Sequence, residues 1–210
     1  MAKKVKIGLL GAGRIGKLHG TNVQNFIPEA EISVVADPFM NDSMKEWAES
    51  VGIRKTSSNP EDVFADPEVG AVFICSSTDT HADFIIQAAK AGKHIFCEKP
   101  IHTDIARIKE ALQAVEEAGV KLQVGFVRRF DKNHKAVHDA VASGKLGAPY
   151  VVKVCSRDPE APPMDYVKVS GGIFMDMMIH DFDMVRYLSG SDVTEVSATG
   201  ACLVDPRFAD

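Results

Sequence analysis

Short apolar runs alternate with amphipathic stretches from Val5 to Val124. The apolar runs have the length and β-branched content of buried strands, and they predict strands at Val5–Leu10, Ile32–Ala36, Val69–Ile74, His94–Cys97 and Leu122–Val124. The stretches between them predict helices at Ile15–Phe26, Asn41–Ser50, Pro60–Phe64, Ala82–Ala91 and Asp104–Ala118. Strands that alternate with helices of this length indicate an α/β fold built on a doubly wound parallel sheet.

The pattern changes after Gly125, where we place a boundary between a first domain at 1–125 and a second at 126–210. In the second domain the pattern predicts a helix at Asp131–Ser143, a strand at Pro149–Ser156, a helix that follows the Gly171–Gly172 pair and runs to about Leu188, and a half-exposed strand at Val193–Ala201. The polar, proline-rich segment from Arg157 to Tyr166 is too long for a turn and is predicted to be a binding loop.

The composition is that of an ordinary globular protein, with 45% apolar and 25% charged residues. A net charge of −5 argues against a nucleic-acid partner. No apolar run approaches the roughly 20 residues of a membrane span, and no signal peptide is expected, so the cytoplasm is the simplest location. The four cysteines are widely spaced without a C-x-x-C motif and predict neither zinc nor disulfides.

The motif GAGRIG begins at Gly11, between the first predicted strand and the helix that follows it. This is the context in which G-x-G-x-x-G binds a dinucleotide. Gly11 is expected to form the tight turn, Gly13 to let the backbone approach the pyrophosphate, and Gly16 to let helix and strand pack closely. The helix begins at Arg14 and Ile15, so its N-terminal amides are expected to face that phosphate. The motif therefore predicts a Rossmann domain.

Asp37 ends the second long predicted strand. A carboxylate at this point accepts hydrogen bonds from the adenosine ribose hydroxyls and repels a 2′-phosphate, which favours NAD over NADP as the cofactor. The alternative is that Asp37 only caps the turn before Pro38.

The strand that ends at Ile74 runs into a polar segment at the expected carboxyl edge of the sheet. Ligands bind at this edge in open parallel sheets, so three residues are expected to line the cofactor cleft: Ser76, Ser77 and Thr78. Thr80 and Asp83 also resemble a helix capping box, which is a structural role. His81 is expected either to contact the cofactor or to be a solvated residue of the first helical turn.

Lys99 stands at the carboxyl end of the predicted strand His94–Cys97, in the sequence CEKP. Its ammonium can hydrogen-bond a substrate hydroxyl and lower the pKa of that alcohol, or share a proton with a base. A solvated surface lysine is the alternative. Glu98 and Pro100 argue against it, because the proline fixes the turn and the acid can hold the lysine. Glu98 is also expected to belong to the cofactor-binding site.

The segment GGIFMDMMIHDFD carries Asp176 and His180 four residues apart on one predicted helix, so that they project from the same face. A carboxylate beside an imidazole orients the ring and stabilises its protonated form, which makes His180 a candidate general base. A metal site is not expected, because Asp181 points away from the other two residues and no third ligand converges with them.

The order of GAGRIG, Asp37, CEKP and GGxxxDxxxHDxD resembles the glucose–fructose oxidoreductase and inositol dehydrogenase family (Gfo/Idh/MocA) over the whole chain. The resemblance implies a Rossmann domain followed by an α/β domain with an open sheet, with the site between them. It implies that His180 takes the hydroxyl proton while hydride leaves the same carbon for nicotinamide C4, that Asp176 steadies the imidazolium, and that Lys99 assists. Family members are usually longer, so the second domain is expected to be incomplete in this chain.

Within the family, GFVRRFD and SRDP are most similar to inositol 2-dehydrogenases. By this resemblance Arg128 helps to hold a polyol and Asp158 accepts its hydroxyls, although Arg128 and Arg129 are alternatively two exposed cations near a domain junction. Some close relatives carry histidine at Ser156, which leaves the exact polyol open. The resemblance also implies a homo-oligomer, usually a tetramer.

The predicted function is NAD-dependent oxidation of a secondary hydroxyl of a polyol, with myo-inositol giving the 2-keto inositol as the first choice. Another sugar dehydrogenase and a family glycosidase that uses NAD transiently need the same hydride machinery and stay open as alternatives. A non-catalytic sugar or nucleotide sensor is disfavoured by the presence of Lys99, Asp176 and His180.

Overall fold

The computed structural model describes residues 4–203 and 205–208, without the side chains of residues 165, 168 and 169. The chain divides into two compact units, Met1–Gly125 and Phe126–Asp210. Over the described residues, no helix is long and apolar enough to cross a membrane.

The first unit contains six strands: β1 (Val5–Leu10), β2 (Ala30–Ala36), β3 (Thr56–Ser57), β4 (Ala71–Ile74), β5 (His94–Cys97) and β6 (Leu122–Val124). All neighbours are parallel, and the order across the sheet is β3-β2-β1-β4-β5-β6. This is the strand order of doubly wound dinucleotide-binding sheets, so the predicted fold of this unit is confirmed. The two-residue β3 was not predicted, because it is too short to leave a periodic pattern.

Five helices connect these strands: α1 (Arg14–Phe26), α2 (Asp42–Ser50), α3 (Glu61–Phe64), α4 (Thr78–Lys90) and α5 (Ile105–Ala118). Local capping explains where several of them begin and end. Asn41 accepts the Met44 N–H at 3.1 Å before α2, and Asp104 accepts the Ala106 N–H at 2.8 Å before α5. Gly119 ends α5 with a φ of 64°, a left-handed conformation that suits glycine.

The core of the first unit consists of two apolar clusters. Leu9 belongs to one cluster with Ile32 and Val35, whereas Leu10 belongs to the other with Val34 and Val72. Because neighbouring residues of a strand point to opposite faces of the sheet, the division between Leu9 and Leu10 places one cluster on each face. The buried sheet holds the carboxyl ends of β1, β4 and β5 side by side.

The second unit is helical in its described residues: α6 (Lys132–Ala142), α7 (Met164–Ser170) and α8 (Ile179–Ser189), with 3₁₀ turns at Val127–Phe130 and Pro206–Phe208 and a π-helical turn at Phe174–Met178. The helices α6 and α8 confirm two predicted elements. The helix α7 was not predicted, and its first residues occupy the end of the segment that was expected to be a binding loop. That segment therefore ends at Pro163, the N-cap of α7.

The strands predicted at Pro149–Ser156 and Val193–Ala201 are not found, since neither segment pairs as a strand in the described part of the second unit. Several of their apolar side chains are exposed, and Tyr150 reaches 98% exposure. An alternating pattern marks a segment that suits one face of a sheet, but a strand also needs a neighbour with which to exchange backbone hydrogen bonds. The open sheet expected for the second domain is thus not present among the described residues.

Candidate active site

The glycine loop joins β1 to α1 and packs against the loop after β4. Gly11 has a φ of 93°, and a Cβ atom there would lie 2.6 Å from the carbonyl oxygen of Cys75. A Cβ atom on Gly16 would lie 1.9 Å from the carbonyl oxygen of Gly11. Both positions accept only glycine, because the tight turn and the close helix approach leave no room for a side chain.

Gly13 differs from these two glycines, because a Cβ atom there would meet no heavy atom of the described chain within 4 Å. Gly13 is the N-cap of α1, and the first turn of this 13-residue helix contains no acidic side chain. No acidic side chain of the helix itself therefore neutralises the positive end of its dipole, and the space beside Gly13 suits the phosphate oxygens of a dinucleotide.

Asp37 follows β2 and ties its end to the glycine loop. The side chain is buried, Oδ2 accepts the Ala12 N–H at 2.8 Å, and Oδ1 accepts the Phe39 N–H at 2.8 Å. The second contact is the turn cap that was considered as the alternative. The first shows that the carboxylate also reaches the loop that would hold the pyrophosphate, so cap and loop contacts coexist in one side chain.

The loop after β4 carries Ser76 and Ser77, and α4 begins at Thr78 with Ser77 as its N-cap. Ser76 Oγ lies 2.7 Å from Thr80 Oγ1, and the Thr80 hydroxyl donates to the Ser77 carbonyl at 2.7 Å. The capping box predicted for Thr80 and Asp83 is wrong, because the helix starts before Thr80. The Cys75–Ser76 backbone lies against Gly11, so the structure brings this loop beside the glycine loop.

Cys75 is buried beside the glycine loop. Burial and, to a lesser degree, the charge of Glu98 raise the pKa of the Cys75 thiol. The thiolate form that a nucleophile requires is therefore suppressed, and Cys75 has a packing role.

His81 is buried, with 2% of its surface exposed, so the solvated histidine considered as an alternative is wrong. Its Nδ1 lies 2.7 Å from the Pro100 carbonyl oxygen and its Nε2 lies 3.0 Å from the Ser76 carbonyl oxygen. Both ring nitrogens face the backbone of the chain, and a contact of His81 with the cofactor stays a prediction. The sequence held a signal for burial, since His81, Ile85 and Ala88 form an apolar stripe at helical spacing on α4.

Glu98 and Lys99 follow β5 at the same edge of the sheet. Glu98 Oε1 lies 2.7 Å from His19 Nε2, and Glu98 Oε2 accepts the Lys99 backbone N–H at 3.3 Å. The acid was expected to hold the lysine, and the contact observed here is with the lysine's backbone. His19 was missed by the sequence analysis, although its spacing from Val23, a buried residue of α1, places it on the sheet-facing side of the helix.

In the second unit, the π-helical turn at Phe174–Met178 contains Asp176, and α8 contains His180. The π turn is wider than the α-helix on which the predicted spacing rested, and such turns occur often at functional sites. Asp176 Oδ1 accepts the hydroxyl hydrogen of Tyr166 at 2.8 Å, and His180 Nδ1 is buried. Tyr166 was missed because it lay in the segment predicted as a loop, and direct contact between Asp176 and His180 stays a prediction.

Arg128 forms an ion pair with Asp181, and the Ser156 hydroxyl donates to the same Asp181 oxygen at 2.6 Å. Arg129 Nη2 donates to Asp183 Oδ1 at 2.6 Å. Both arginines are half-buried and paired with aspartates, which argues against the alternative that they are two exposed cations near a domain junction.

Asp183 raises the pKa of Arg129, because the guanidinium donates hydrogen bonds to the buried Asp183 carboxylate.

Asp158 is exposed on the segment before α7. Among the described residues, no group of three or more histidine, cysteine, aspartate or glutamate side chains is arranged to hold a metal ion.

A parallel sheet in this order, with a glycine loop against a helix start and a buried acid after β2, defines the class of dinucleotide-binding α/β proteins. Residues 5–126 match the GFO_IDH_MocA family, described as an oxidoreductase family with an NAD-binding Rossmann fold. Residues 134–210 match the GFO/IDH/MocA C-terminal domain. The chain therefore belongs to the Gfo/Idh/MocA family of oxidoreductases, and the predicted family and NAD-binding fold are confirmed.

Relatives within the family are similar over nearly the whole chain. The chain is 50% identical to an uncharacterized oxidoreductase, YrbE, of Bacillus subtilis over 100% of its length, and it covers 61% of that relative. It is 45% identical to the myo-inositol 2-dehydrogenase of Thermotoga maritima over 97% of its length, and it covers 60% of that relative. The chain thus spans about three fifths of the length of these relatives.

A solved structure with ligands is also similar. The scyllo-inositol dehydrogenase of Lactobacillus casei with bound cofactor NAD(H) and scyllo-inositol is 34% identical, with a TM-score of 0.81. The match covers 90% of this chain and 57% of that one.

Proposed function

We propose that the protein is an NAD-dependent dehydrogenase that oxidises a secondary hydroxyl of an inositol, with myo-inositol giving the 2-keto inositol as the preferred reaction. The observation that carries the proposal is the alignment of three features at the carboxyl edge of one parallel sheet. These are the glycine loop after β1, Asp37 after β2 and Lys99 after β5. Relatives named for the oxidation of inositols support the substrate class.

The first unit is proposed to be the NAD-binding domain. The open space at Gly13 and the start of α1 fit a pyrophosphate, and Asp37 lies within hydrogen-bond distance of the loop that would hold it. A second negative charge on a 2′-phosphate would meet the Asp37 carboxylate, so NAD is preferred over NADP. When bound, NAD⁺ supplies the hydride acceptor at C4 of its nicotinamide.

The second unit is proposed to be the substrate domain and to supply the base. Oxidation of a secondary alcohol removes a hydride from carbon and a proton from oxygen, and we assign that proton to His180. Asp176 is assigned to stabilise the charged imidazolium, and its contact with the Tyr166 hydroxyl holds the carboxylate in place. The Lys99 ammonium is assigned to donate a hydrogen bond to the reacting oxygen, which stabilises the developing alkoxide.

Arg128 and Asp158 are proposed to hold the remaining hydroxyls of the polyol. A guanidinium has five N–H donors, so the ion pair of Arg128 with Asp181 leaves donors for a ligand. Ser156 shares the same Asp181 oxygen and therefore sets the position of that ion pair.

The test is an assay of the whole protein with NAD⁺ and myo-inositol. Appearance of NADH with the free inositol supports the dehydrogenase, and NADP⁺ is expected to work poorly. Release of an aryl leaving group from an aryl glycoside without net NADH would replace the proposal with the NAD-using glycosidase. Binding of NAD and inositol with neither reaction would replace it with a sensor.

Homo-tetrameric assembly and a cytoplasmic location are further proposals for the whole protein. Light scattering at two protein concentrations measures the assembly, and a mass of four subunits is expected.

A further inference from the structure

Lys99 lies between two residues that are each held by a histidine from a different helix. Glu98 meets His19 of α1, and the carbonyl of Pro100 meets His81 of α4. The two helices are also the ones whose first residues belong to the glycine loop and to the loop after β4. The turn that carries the lysine is therefore joined to both loops that are assigned to NAD.

The His81 ring acts as a bridge between two backbone segments. Its Nδ1 faces the Pro100 carbonyl at 2.7 Å and its Nε2 faces the Ser76 carbonyl at 3.0 Å. Both partners are acceptors, so each contact is a hydrogen bond only when the nitrogen on that side carries a hydrogen. The ring is almost fully buried, so water does not replace either partner cheaply.

Glu98 has two polar contacts and one close neighbour. Its carboxylate contacts His19 Nε2 and the Lys99 backbone N–H, and a Cβ atom on Gly125 would lie 3.1 Å from its Cδ. The His19 ring stands edge-on to Phe96, with ring centroids 5.0 Å apart, which limits the rotation of the imidazole. The carboxylate before Lys99 therefore has one well-defined position.

We propose that His19 and His81 are positioning residues that fix the Glu98–Lys99–Pro100 turn relative to the glycine loop and the loop after β4. This inference rests on the proposed function insofar as Lys99 serves the reaction. Neither histidine needs to touch substrate or cofactor. Their role is to make the position of the Lys99 ammonium depend on the same two loops that are assigned to NAD.

The first experiment replaces His81 with asparagine or with glutamine, because each side-chain amide reproduces one of the two imidazole nitrogens. Asparagine can place its NH₂ near the Nδ1 position and glutamine near the Nε2 position, so His81→Asn keeps a donor toward Pro100 whereas His81→Gln keeps one toward Ser76. A displacement of a catalytic group by about 1 Å lowers rates by about 10²-fold, so we expect kcat to fall roughly 10- to 100-fold in His81→Gln and only a fewfold in His81→Asn. KM for inositol is expected to change by no more than about twofold in both variants.

A matched control comes from the opposite end of β5. His94 is exposed there, and its Nδ1 accepts the Lys121 backbone N–H at 3.1 Å. His94→Gln removes a histidine–backbone contact of similar kind far from Lys99, and its kcat is expected to equal that of the wild type. Equal kcat in His81→Asn and His81→Gln, or losses that only follow the melting temperature, would overturn the positioning role of His81.

His19 provides a second pair of variants if His81 variants do not fold. His19→Gln keeps an amide near the Nε2 position that faces Glu98, whereas His19→Leu removes it. Recovery of kcat in His19→Gln relative to His19→Leu is expected, and identical kcat values would contradict the proposal.

A second readout does not depend on the proposed reaction. Reductive methylation of the whole protein with ¹³C-formaldehyde keeps the lysine charge and gives NMR signals, and the signal that disappears in Lys99→Arg belongs to Lys99. We expect this signal to shift in His81→Gln and His19→Leu and to stay in place in His94→Gln. An unmoved Lys99 signal in both variants overturns the proposal. A moved signal in a protein that makes no NADH would refute the proposed dehydrogenase and leave the positioning intact.

Discussion

The first unit buries two apolar clusters on the faces of a six-stranded sheet, whereas two arginine–aspartate pairs in the second unit join the 3₁₀ turn Val127–Phe130 to α8. In the first unit, candidate groups stand at strand ends, where the backbone ladder sets their positions. In the second, candidate groups stand on a π turn and a helix and are placed by side-chain contacts such as that of Asp176 with Tyr166. The backbone of the sheet thus sets the positions of the groups assigned to NAD, whereas side-chain contacts set the positions of the groups around the proposed base.

This difference has consequences for variants. Changes in the first unit that leave the sheet intact should act on NAD binding or on the lysine. Changes in the second unit should act on proton removal or on local stability, with NAD binding retained.

His180→Ala should cost the most activity. A positioned general base contributes about 10²- to 10⁴-fold, so kcat is expected to fall by that factor while Kd for NAD⁺ stays unchanged. His134→Ala is the control, because His134 is a half-exposed histidine of the same unit that contacts Asp131. Steady-state kinetics and NAD⁺ titration measure both quantities. A wild-type kcat in His180→Ala would show that His180 is not the general base.

Lys99→Met keeps much of the side-chain volume but removes its charge and donors. We expect kcat to fall on the order of 10²-fold, because the hydrogen bond to the developing alkoxide is lost. Lys90→Met, at an exposed position at the end of α4, should behave as the wild type. Turnover close to normal in Lys99→Met would return this residue to the role of a solvated surface lysine.

Two glycine variants separate folding from nucleotide binding. Gly16→Ala places a Cβ atom 1.9 Å from the Gly11 carbonyl oxygen, so the free energy of unfolding should fall by about 1–3 kcal/mol. Gly13→Ala meets no described atom within 4 Å, so it should melt as the wild type does and bind NAD⁺ more weakly. Thermal melting with and without NAD⁺ distinguishes the two. Unchanged NAD⁺ affinity in Gly13→Ala would contradict the placement of the pyrophosphate.

Asp183→Asn should destabilise the second unit and leave NAD⁺ affinity unchanged. Asp183 is 8% exposed and binds the Arg129 guanidinium, so loss of its charge should cost about 1–3 kcal/mol of unfolding free energy. The exposed pair of Arg186 with Asp192 supplies the control, because Asp192→Asn should cost about 0–1 kcal/mol. Urea unfolding of the whole protein measures both values, and equal costs would show that burial of Asp183 does not matter.

The amino-acid sequence was sufficient to predict most of the first unit. Strand β1 and the glycine loop have a local pattern, and each predicted strand finds its neighbour within the same unit. The segment at 193–201 has the alternation of a strand but no pairing in the described residues, because periodicity cannot supply a partner. Local pattern therefore predicts which segments suit a sheet, and only tertiary structure decides whether a sheet forms.

The sequence predicted which residue types stand at the strand ends of the candidate site. It predicted far fewer of the contacts between their side chains. Lys99 and Asp37 follow from the rule that ligands bind at the carboxyl edge. The contacts of His19 with Glu98 and of His81 with Pro100 join residues far apart in sequence, and no spacing rule predicts which carboxylate or carbonyl a buried histidine meets. The ion pair of Arg128 with Asp181 was missed for the same reason.

The most direct test follows the hydride itself. The whole protein is incubated with NAD⁺ and myo-inositol that carries deuterium at the carbon bearing the axial hydroxyl, and the NADH formed is analysed by mass spectrometry. Each NADH is expected to carry one deuterium, and single-turnover hydride transfer is expected to be slower than with the unlabelled inositol. NADH without deuterium would contradict transfer of the hydride from the carbon that bears the axial hydroxyl, and no NADH from any inositol would contradict the central claim that this protein transfers a hydride from an inositol carbon to NAD.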